Sequence, residues 1–513
     1  MAEYLLGIDV GTTGAKAVLV DPSGRVVASA TEEYPLHTPR PGWAEQDPHD
    51  WWRGTVGAIR RVLADSGARP EEVRGLGLSG QQHGSVFLDR DHQVLREALL
   101  WCDQRTAAQC AWIHDHVGLD TVVSETLNPV LTGFQAPKIV WLRDHEPALY
   151  ARLRMILLPK DYVRFRLSGE FATEVSDAAG TSLLNVARRD WSEAMLSGLG
   201  LTRDMLPKVY ESPVASTSVS PSAAAETGLW AGLPIAGGGG DNASSAVGNG
   251  VIAEGVVAVS VGTSGTVFAP MREPKMDPKL RVHTFCHAVP GQWHAMGVML
   301  SAGGSLRWFR DALCGEEKAE AAARGLDPYE LITAAAATAP VGSEGLVFLP
   351  YLTGERTPHA DPNARGVFVG LGLRHTKAHL ARAVMEGVCY GLRDSLEILR
   401  EMKLPITEIR NTGGGSRSPF WRQMQSDVFR APLVGMAIDE GAAFGAALLG
   451  GVGAGLWPDV PSACAAAVRT REPVHPDRKT AAIYNRYYPV YRGLYRSLKR
   501  HFSRLAAIVE KTS

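Results

Sequence analysis

The chain has 513 residues, of which 45% are hydrophobic and 21% are charged, and its formal net charge is −1. This length and composition predict a globular protein with more than one domain. The balanced charge offers no basic surface for nucleic acid, and no apolar run reaches the ~20 residues of a membrane helix. We therefore expect no nucleic-acid partner and no membrane partner.

The sequence also indicates where the protein works. Its first residues, MAEYLLGIDVG, lack the basic segment and the apolar stretch of a secretion signal. The six cysteines are scattered and form no Cys-x-x-Cys pair. Both features favour a reduced, cytoplasmic setting. A homodimer is compatible with this sequence, which leaves the oligomeric state open.

A meander of three strands is predicted at the start of the chain. Residues 4–9 and 15–20 are short apolar runs, and a turn signal at residues 21–24 leads to a third run at 25–30. Gly11-Thr12-Thr13-Gly14 joins the first two strands. Glycines let backbone amides approach an anion closely, and the threonines add hydroxyl donors. This segment is a candidate phosphate loop, although tight hairpins use the same residues.

Two charged residues flank this loop. A carboxylate at Asp9 would be repelled by a triphosphate unless a divalent cation lay between them, so Asp9 is a candidate for holding Mg²⁺ through a bound water. The alternative is a strand-end Asp that caps the hairpin. Lys16 follows the loop and is a candidate phosphate contact, with a solvated lysine as an equal alternative.

The next two segments are predicted to be secondary structure without a binding role. Asp47 and Pro48 are typical of a helix start, with Asp47 as N-cap and Pro48 at the first position. Residues 75–80 match G-x-G-x-x-G, but Leu76 and Leu78 alternate as in a strand, and another strand follows instead of a helix. We therefore expect no dinucleotide site there.

Asp241 is the candidate catalytic residue. It follows an apolar run at 233–236 and four glycines at 237–240, and it precedes Asn242 and a predicted helix start. Ligands gather at such strand ends in α/β folds. Phosphoryl transfer to an alcohol uses a base near the attacking hydroxyl, commonly an Asp. The alternative is an ordinary N-cap, which would not require four glycines.

The opening pattern returns in the second half of the chain. Gly262-Thr263-Ser264-Gly265 again lies between two β-branched runs. The shared Val-Gly-Thr-[Thr/Ser]-Gly string predicts an internal duplication, with two α/β domains at residues 1–248 and 249–513. A nucleotide held between duplicated domains needs one loop from each. Residues 248–250 are predicted to be part of a hinge, although their glycines could simply end a helix.

Three later segments complete this description. Residues 379–402 carry a helical apolar stripe, and a tail helix around 491–505 is expected to dock on the second domain. His283, Cys286, His287 and His294 fit no common zinc spacing, so we expect packing roles. A glycine turn at residues 411–418 leads from a strand into a helix, and it could cradle a nucleoside or a phosphate.

These elements, in this order and spacing, resemble the FGGY carbohydrate kinases. Two further segments resemble that family's signature patterns: residues 133–145, with Gln135 where a small hydroxyl residue or Pro is usual, and residues 366–386. The resemblance covers nearly the whole chain. It implies two duplicated ribonuclease-H-like domains of the actin/hexokinase type with a cleft between them, ATP and Mg²⁺ as cofactors, and a small-molecule sugar as acceptor.

Other strings resemble the family members that act on D-xylulose, at residues 79–84, 101–105, 158–162, 176–181, 283–287 and 349–358. The chain departs from them at Gln82, where bacterial members often carry Met, and at Cys102, where Asn is common. The implied reaction transfers a phosphoryl group from MgATP to D-xylulose and gives D-xylulose 5-phosphate, with Asp241 as general base. The rivals are a family member acting on L-ribulose, gluconate, glycerol or a rarer ketose, and a non-catalytic sugar sensor or actin-like assembly protein.

The resemblance also assigns binding residues. Gln82 and His83 are expected to contact the sugar, and Asp241 with Asn242 to hold the hydroxyl that is phosphorylated. Asp103 is a weaker candidate, with a helix cap as its alternative. The nucleotide residues are Gly11, Thr12, Thr13, Lys16, Gly262, Thr263, Gly303, Gly414, Gly415 and Ser418.

Overall fold

The computed structural model describes residues 3–438 and 440–512. The first part of the chain contains the strands β1 (Tyr4–Val10), β2 (Gly14–Val20), β3 (Val26–Glu33), β4 (Glu45–Gln46), β5 (Val73–Gly80), β6 (Val86–Leu88), β7 (Ala98–Leu99), β8 (Met155–Leu157), β9 (Ala172–Glu174), β10 (Leu184–Asn185), β11 (Asp190–Trp191), β12 (Lys208–Tyr210), β13 (Ala215–Ser218) and β14 (Pro234–Gly240). Its α-helices are α1 (Pro48–Ser66), α2 (Ala107–Ile113), α3 (Leu119–Thr126), α4 (Gln135–His145), α5 (Pro147–Tyr150), α6 (Pro159–Ser168), α7 (Val175–Ala178), α8 (Glu193–Leu199), α9 (Pro221–Thr227) and α10 (Asp241–Gly248).

The second part of the chain continues this alternation of strands and helices. Its strands are β15 (Gly255–Val261), β16 (Gly265–Met271), β17 (His283–Cys286), β18 (Trp293–Met299), β19 (Val347–Leu349), β20 (Val367–Val369), β21 (Ile406–Thr412) and β22 (Leu433–Gly435). Its α-helices are α11 (Gly303–Leu313), α12 (Gly315–Arg324), α13 (Pro328–Thr338), α14 (Lys377–Glu401), α15 (Pro419–Phe429), α16 (Gly441–Gly453), α17 (Val460–Ala467) and α18 (Arg478–Thr512).

Two six-stranded sheets share the topology of five of their strands. In the first, β3-β2-β1 form an antiparallel meander, and β5 and β14 continue it in parallel with β1. In the second, β18-β16-β15 form the matching meander, and β21 and β22 continue in parallel with β15. The sixth strand lies at opposite edges: β13 pairs with β14 in the first sheet, and β17 pairs with β18 in the second. The α/β class and the predicted duplication are confirmed.

Local sequence patterns correctly predicted several helices and strands. Asp47 caps α1 by accepting a hydrogen bond from the His49 amide at 2.9 Å, and Pro48 is the first helical residue. Residues 75–80 lie inside β5, so their G-x-G-x-x-G string belongs to a strand. The apolar stripe at 379–402 lies in α14, whose side chains from Ala381 to Leu399 are mostly buried.

The tail helix α18 docks on the second half, as expected. Tyr484 and Tyr491 are fully buried in the core that α14 and α15 also line, whereas Leu505 near the end of the helix is exposed. Within the described ranges, none of the helices combines the length and the apolar character needed to cross a bilayer.

Helix α16 crosses between the two halves. It follows β22 in the chain but packs on β1, β5 and β14 of the first sheet, beside α10. A Cβ atom added to Gly7 would lie 1.8 Å from the Ala443 carbonyl oxygen, and one added to Gly445 would lie 1.8 Å from the Ser244 carbonyl oxygen. Glycine is therefore required at these contacts, because the backbones touch with no side chain between them.

Candidate active site

The first group of site residues lies at the carboxyl ends of three parallel strands. Asp9 on β1 and Gly239 on β14 both lie opposite Ser79 of β5 in the sheet register. Asp241 follows β14 directly, and Gln82 with His83 follow β5. Parallel strands gather ligand-binding residues at this edge. The sheet therefore brings the predicted metal, base and sugar residues together.

Asp241 is the first residue of α10, and Gly240 is the N-cap. Its Oδ1 accepts hydrogen bonds from the Asn242 amide at 2.7 Å and from Asn242 Nδ2 at 2.8 Å, whereas Oδ2 has no hydrogen bond among the described residues. Burial and the nearby charge of Asp9 raise the pKa of Asp241 to about 7, although the bonds from Asn242 lower it. The carboxyl group is therefore poised to exchange a proton near neutral pH.

The glycines before Asp241 are required by close contacts. Gly238 has a φ of +73°, and a Cβ atom there would lie 1.8 Å from the Leu78 carbonyl oxygen. A Cβ atom on Gly240 would lie 2.5 Å from Nε2 of Gln82. The Gln82 amide thus packs against the residue preceding Asp241, which places a sugar-contact candidate beside the base candidate.

Asp9 is a half-buried carboxylate near the end of β1. Its Oδ1 has no hydrogen-bond partner among the described residues. Burial raises the pKa of Asp9 to about 6, and the Ser79 hydroxyl and the Lys16 charge partly offset this rise. An unpartnered buried oxygen on a carboxyl group whose charge acts on a second one, Asp241, is an arrangement that a divalent cation would stabilise.

His83 has a left-handed backbone, with φ of 68°. Lys138 on α4 holds this turn, because its Nζ donates to the carbonyl oxygens of His83 at 2.8 Å and of Gly133 at 2.6 Å. The His83 ring lies 4.7 Å from the Phe134 ring, between centroids, and its Nδ1 is 2.7 Å from the Gly180 carbonyl oxygen. A carbonyl oxygen only accepts, so Nδ1 carries the proton and Nε2 is left as an acceptor.

Burial also keeps the His83 ring neutral, because it lowers the pKa of His83 to about 3. A neutral ring whose Nε2 makes no hydrogen bond within the described residues can accept one from a sugar hydroxyl. Lys138 received no role in the sequence analysis. The sequence feature that could have indicated a role for Lys138 is a lysine within an apolar helical run. Burial lowers the pKa of Lys138 to about 7.

The first phosphate loop is held in place by side chains around it. Tyr34 and Gln81 donate to the Gly11 carbonyl oxygen at 2.6 and 3.3 Å, and Gln46 donates to that of Thr12 at 2.7 Å. Trp101 Nε1 donates to the Thr12 hydroxyl at 3.0 Å. Thr13 lies exposed at the tip of the loop.

Two side chains that were predicted to contact substrates bind other residues of the protein. Lys16 forms an ion pair with Glu440, just before α16. Asp103 is fully buried, and it accepts from the Ala44 amide at 2.7 Å and from the Arg105 guanidinium at 2.7 Å. Both arrangements support the fold, and a contact of either side chain with a substrate stays a prediction.

The second phosphate loop borders a large cavity. Residues 262–264 join β15 to β16, and the amides of Gly303 and Gly304 at the start of α11 donate to the carbonyl oxygens of Gly262 and Thr263 at 2.8 and 3.0 Å. The cavity has a volume of about 870 Å³, a size typical of ligand pockets. Six predicted nucleotide residues line it: Gly262, Thr263, Gly303, Gly414, Gly415 and Ser418.

Other cavity residues were missed by the sequence analysis. Tyr329, Phe420 and Trp421 give the cavity aromatic surface, and Arg307 and Arg417 give it positive charge. Arg307 donates to the Thr263 hydroxyl at 2.9 Å. Neither arginine forms an ion pair within the described part of the chain. Ser418 also caps α15, because its hydroxyl accepts from the Trp421 amide at 3.3 Å.

Comparison with known proteins covers both halves. Residues 4–248 match the N-terminal domain of the FGGY family of carbohydrate kinases, and residues 257–454 match its C-terminal domain. The xylulose kinase of Escherichia coli (strain K12) is 40% identical over 502 residues, 96% of this chain and 99% of that protein. The xylulose kinase of Bacillus subtilis (strain 168) is 37% identical over 497 residues, 97% of each chain. A crystal structure of a protein named xyloylose kinase, from Brucella ovis, superposes with a TM-score of 0.89 at 37% identity, over 97% of this chain and 100% of that one.

Proposed function

Since this chain belongs to the FGGY family of carbohydrate kinases, we propose that it phosphorylates D-xylulose with ATP and releases D-xylulose 5-phosphate and ADP. The family and the two-domain fold expected from the motifs are confirmed, and the chain is a sugar kinase. D-xylulose as the acceptor is supported by the relatives named xylulose kinase. The observation that carries the mechanism is the placement of Asp241 at a strand edge, directly after Gly240, against which the Gln82 amide packs.

The nucleotide binds between the two glycine and threonine loops. Its base and ribose occupy the cavity of about 870 Å³, where Tyr329 and Phe420 offer aromatic surface. The phosphates extend toward Thr263 and the first loop, where backbone amides and hydroxyls donate to them. Arg307 beside Thr263 supplies a positive charge, and it forms no ion pair with a carboxylate in the described ranges.

The sugar binds on the first half, against Gln82 and His83. His83 Nε2 accepts a hydroxyl proton, and the Gln82 amide can donate and accept. Asp241 Oδ2, which has no other hydrogen bond in the described part of the chain, accepts the proton of the primary hydroxyl as that oxygen attacks the γ-phosphorus. Asn242 fixes the other carboxylate oxygen at 2.7 Å.

The residues present fit a magnesium ion. Within the described ranges no group of three or more His, Cys, Asp or Glu side chains is placed to hold a metal, but Mg²⁺ in kinases needs only one or two carboxylates together with phosphates and water. Asp9, with its unpartnered Oδ1, would hold the ion. When bound, the ion would neutralise charge on the phosphate oxygens.

We place this reaction in the cytoplasm. All six cysteines are free thiols, which supports a reducing compartment. We also propose the division at residues 248 and 249, with the two halves closing around both substrates so that water does not compete as the acceptor.

An ADP-release assay over a panel of acceptors tests the function. D-xylulose should give the highest kcat/KM among D-xylulose, L-ribulose, gluconate and glycerol. Asp241→Asn should lower kcat about 10²–10⁴-fold while both substrates still bind. A higher kcat/KM for another acceptor would reassign the substrate. Absence of sugar-dependent ADP release with every acceptor would contradict kinase activity and favour a sugar sensor.

A further inference from the structure

The short helix α7 contacts Gly240, the residue before the base candidate, and its first turn contains several hydrogen bonds. Glu174 is the N-cap of α7 and accepts from the amides of Ser176 at 2.7 Å and Asp177 at 2.8 Å. The Ser176 hydroxyl donates to Glu174 Oε1 at 3.0 Å and accepts from the Gly240 amide at 3.1 Å. Glu174 and Ser176 are fully buried.

The direction of these bonds is set by chemistry. A backbone N–H only donates, so the Ser176 oxygen must be the acceptor toward Gly240. Its single hydroxyl hydrogen then points at Glu174 Oε1. The fully buried Lys160 lies 3.5 Å from Glu174 Oε1, and Glu174 shares its positive charge with Asp161 at 2.8 Å and Asp177 at 3.2 Å. The hydroxyl is therefore a directed acceptor for that amide.

The bonded amide belongs to the residue immediately before Asp241. Gly240 ends β14 and caps α10, so a displacement of its peptide would redirect the first side chain of the helix. Ser176 also contacts the sugar side, because its carbonyl oxygen lies 3.4 Å from Gln82 Nε2. One buried residue thus connects the base candidate with a sugar-contact candidate.

We propose that Ser176, oriented by Glu174, is a positioning residue for phosphoryl transfer: its hydroxyl fixes the Gly240 peptide and thereby aims the Asp241 carboxylate at the attacking hydroxyl. This inference rests on the proposed function, in which Asp241 is the base. A misplacement of ~1 Å at a reacting group can cost about 10²-fold in rate.

The test is a double-mutant cycle measured with D-xylulose and ATP. Ser176→Ala should lower kcat about 10–100-fold and change either KM less than about threefold. Placed in an Asp241→Asn background, the same substitution should slow the enzyme by less than about twofold, because the group that it positions is already lost. A role in general stability alone would not produce this dependence on Asp241.

Thr173→Val is the matched control. Thr173 lies on β9, is as buried as Ser176, and its hydroxyl makes no hydrogen bond in the described part of the chain, so kcat should be unchanged. If Ser176→Ala does not fold, as judged by circular dichroism, Glu174→Gln keeps the side-chain volume and should lower kcat with the same dependence on Asp241.

Three outcomes would overturn the inference. A kcat for Ser176→Ala within twofold of wild type, while Asp241→Asn is slow, refutes the role of Ser176 and leaves the proposed function intact. Equal losses in the wild-type and Asp241→Asn backgrounds also refute it. Full activity of Asp241→Asn refutes the assignment of the base and the inference together.

Discussion

The pair formed by Asp9 and Asp241 predicts how the rate depends on pH. Burial and the Asp9 charge raise the pKa of Asp241 to about 7, and the pKa of Asp9 is raised to about 6. The base acts in its ionised form, so activity should be lost as pH falls through these values. With a pKa of about 7, roughly one tenth of Asp241 is ionised at pH 6 and roughly nine tenths at pH 8. The rate should therefore rise about tenfold over those two units.

The perturbation that tests the cause is Asp9→Asn. It removes the charge that raises the pKa of Asp241, so the acid limb should move to lower pH even though the overall rate falls. Because the two carboxyl groups interact, the acid limb of the wild-type pH–rate profile gives an apparent pKa that belongs to the pair. The variant isolates Asp241.

The assay measures initial rates from pH 5 to 9 with both substrates below their KM, because such rates follow the ionisation of the free enzyme. Excess Mg²⁺ keeps ATP in one ionic form, and the coupling enzymes are checked at every pH. A wild-type midpoint below about 5 would refute the raised pKa of Asp241. An unshifted limb in Asp9→Asn would refute the electrostatic coupling.

The remaining predictions concern the two ligands. Asp9→Ala should weaken productive use of MgATP more than sugar binding, and an unchanged Mg²⁺ titration would count against a metal role. His83→Ala should raise the KM for D-xylulose and leave ATP binding little altered, because a buried polar site loses a partner; equal losses for both ligands would instead indicate a structural role. D-xylulose with a non-hydrolysable ATP analogue should reduce the radius of gyration measured by small-angle scattering, because the two halves close with residues 248–250 as part of the hinge. An unchanged radius of gyration at saturating ligand would contradict a large closure.

Local backbone chemistry explains why part of the site could be predicted from the sequence. The loops at Gly11 and Gly262 and the glycine run before Asp241 carry their signal within a few residues, because glycine spacing reports where the backbone must turn or approach another atom. The repeated pattern also predicted the two matching sheets. Gly303 and Gly414 came from the family resemblance, since a glycine near a turn is not specific by itself.

The unpredicted features depend on contacts between distant parts of the chain. The bond between Ser176 and Gly240 joins residues 64 positions apart. The ion pair between Lys16 and Glu440 joins the two halves, and nothing near Lys16 indicates it. The pairing of Asp103 with Arg105 is local, yet an arginine two residues away is compatible with either a free or an engaged carboxylate.

The position of α16 has a consequence for synthesis on the ribosome. β14, the last strand of the first sheet's parallel part, ends at Gly240, and α16 begins about 200 residues later, at Gly441. Synthesis adds ~5–20 residues per second. The sheet face containing Leu5, Val18 and Val20 therefore stays uncovered for roughly 10–40 s, until the helix that covers it has been made. The first half therefore cannot complete its core as it emerges. A gene divided near residue 250 would yield an N-terminal fragment with one bare sheet face, and residues 441–467 would have to be supplied with it for that fragment to fold.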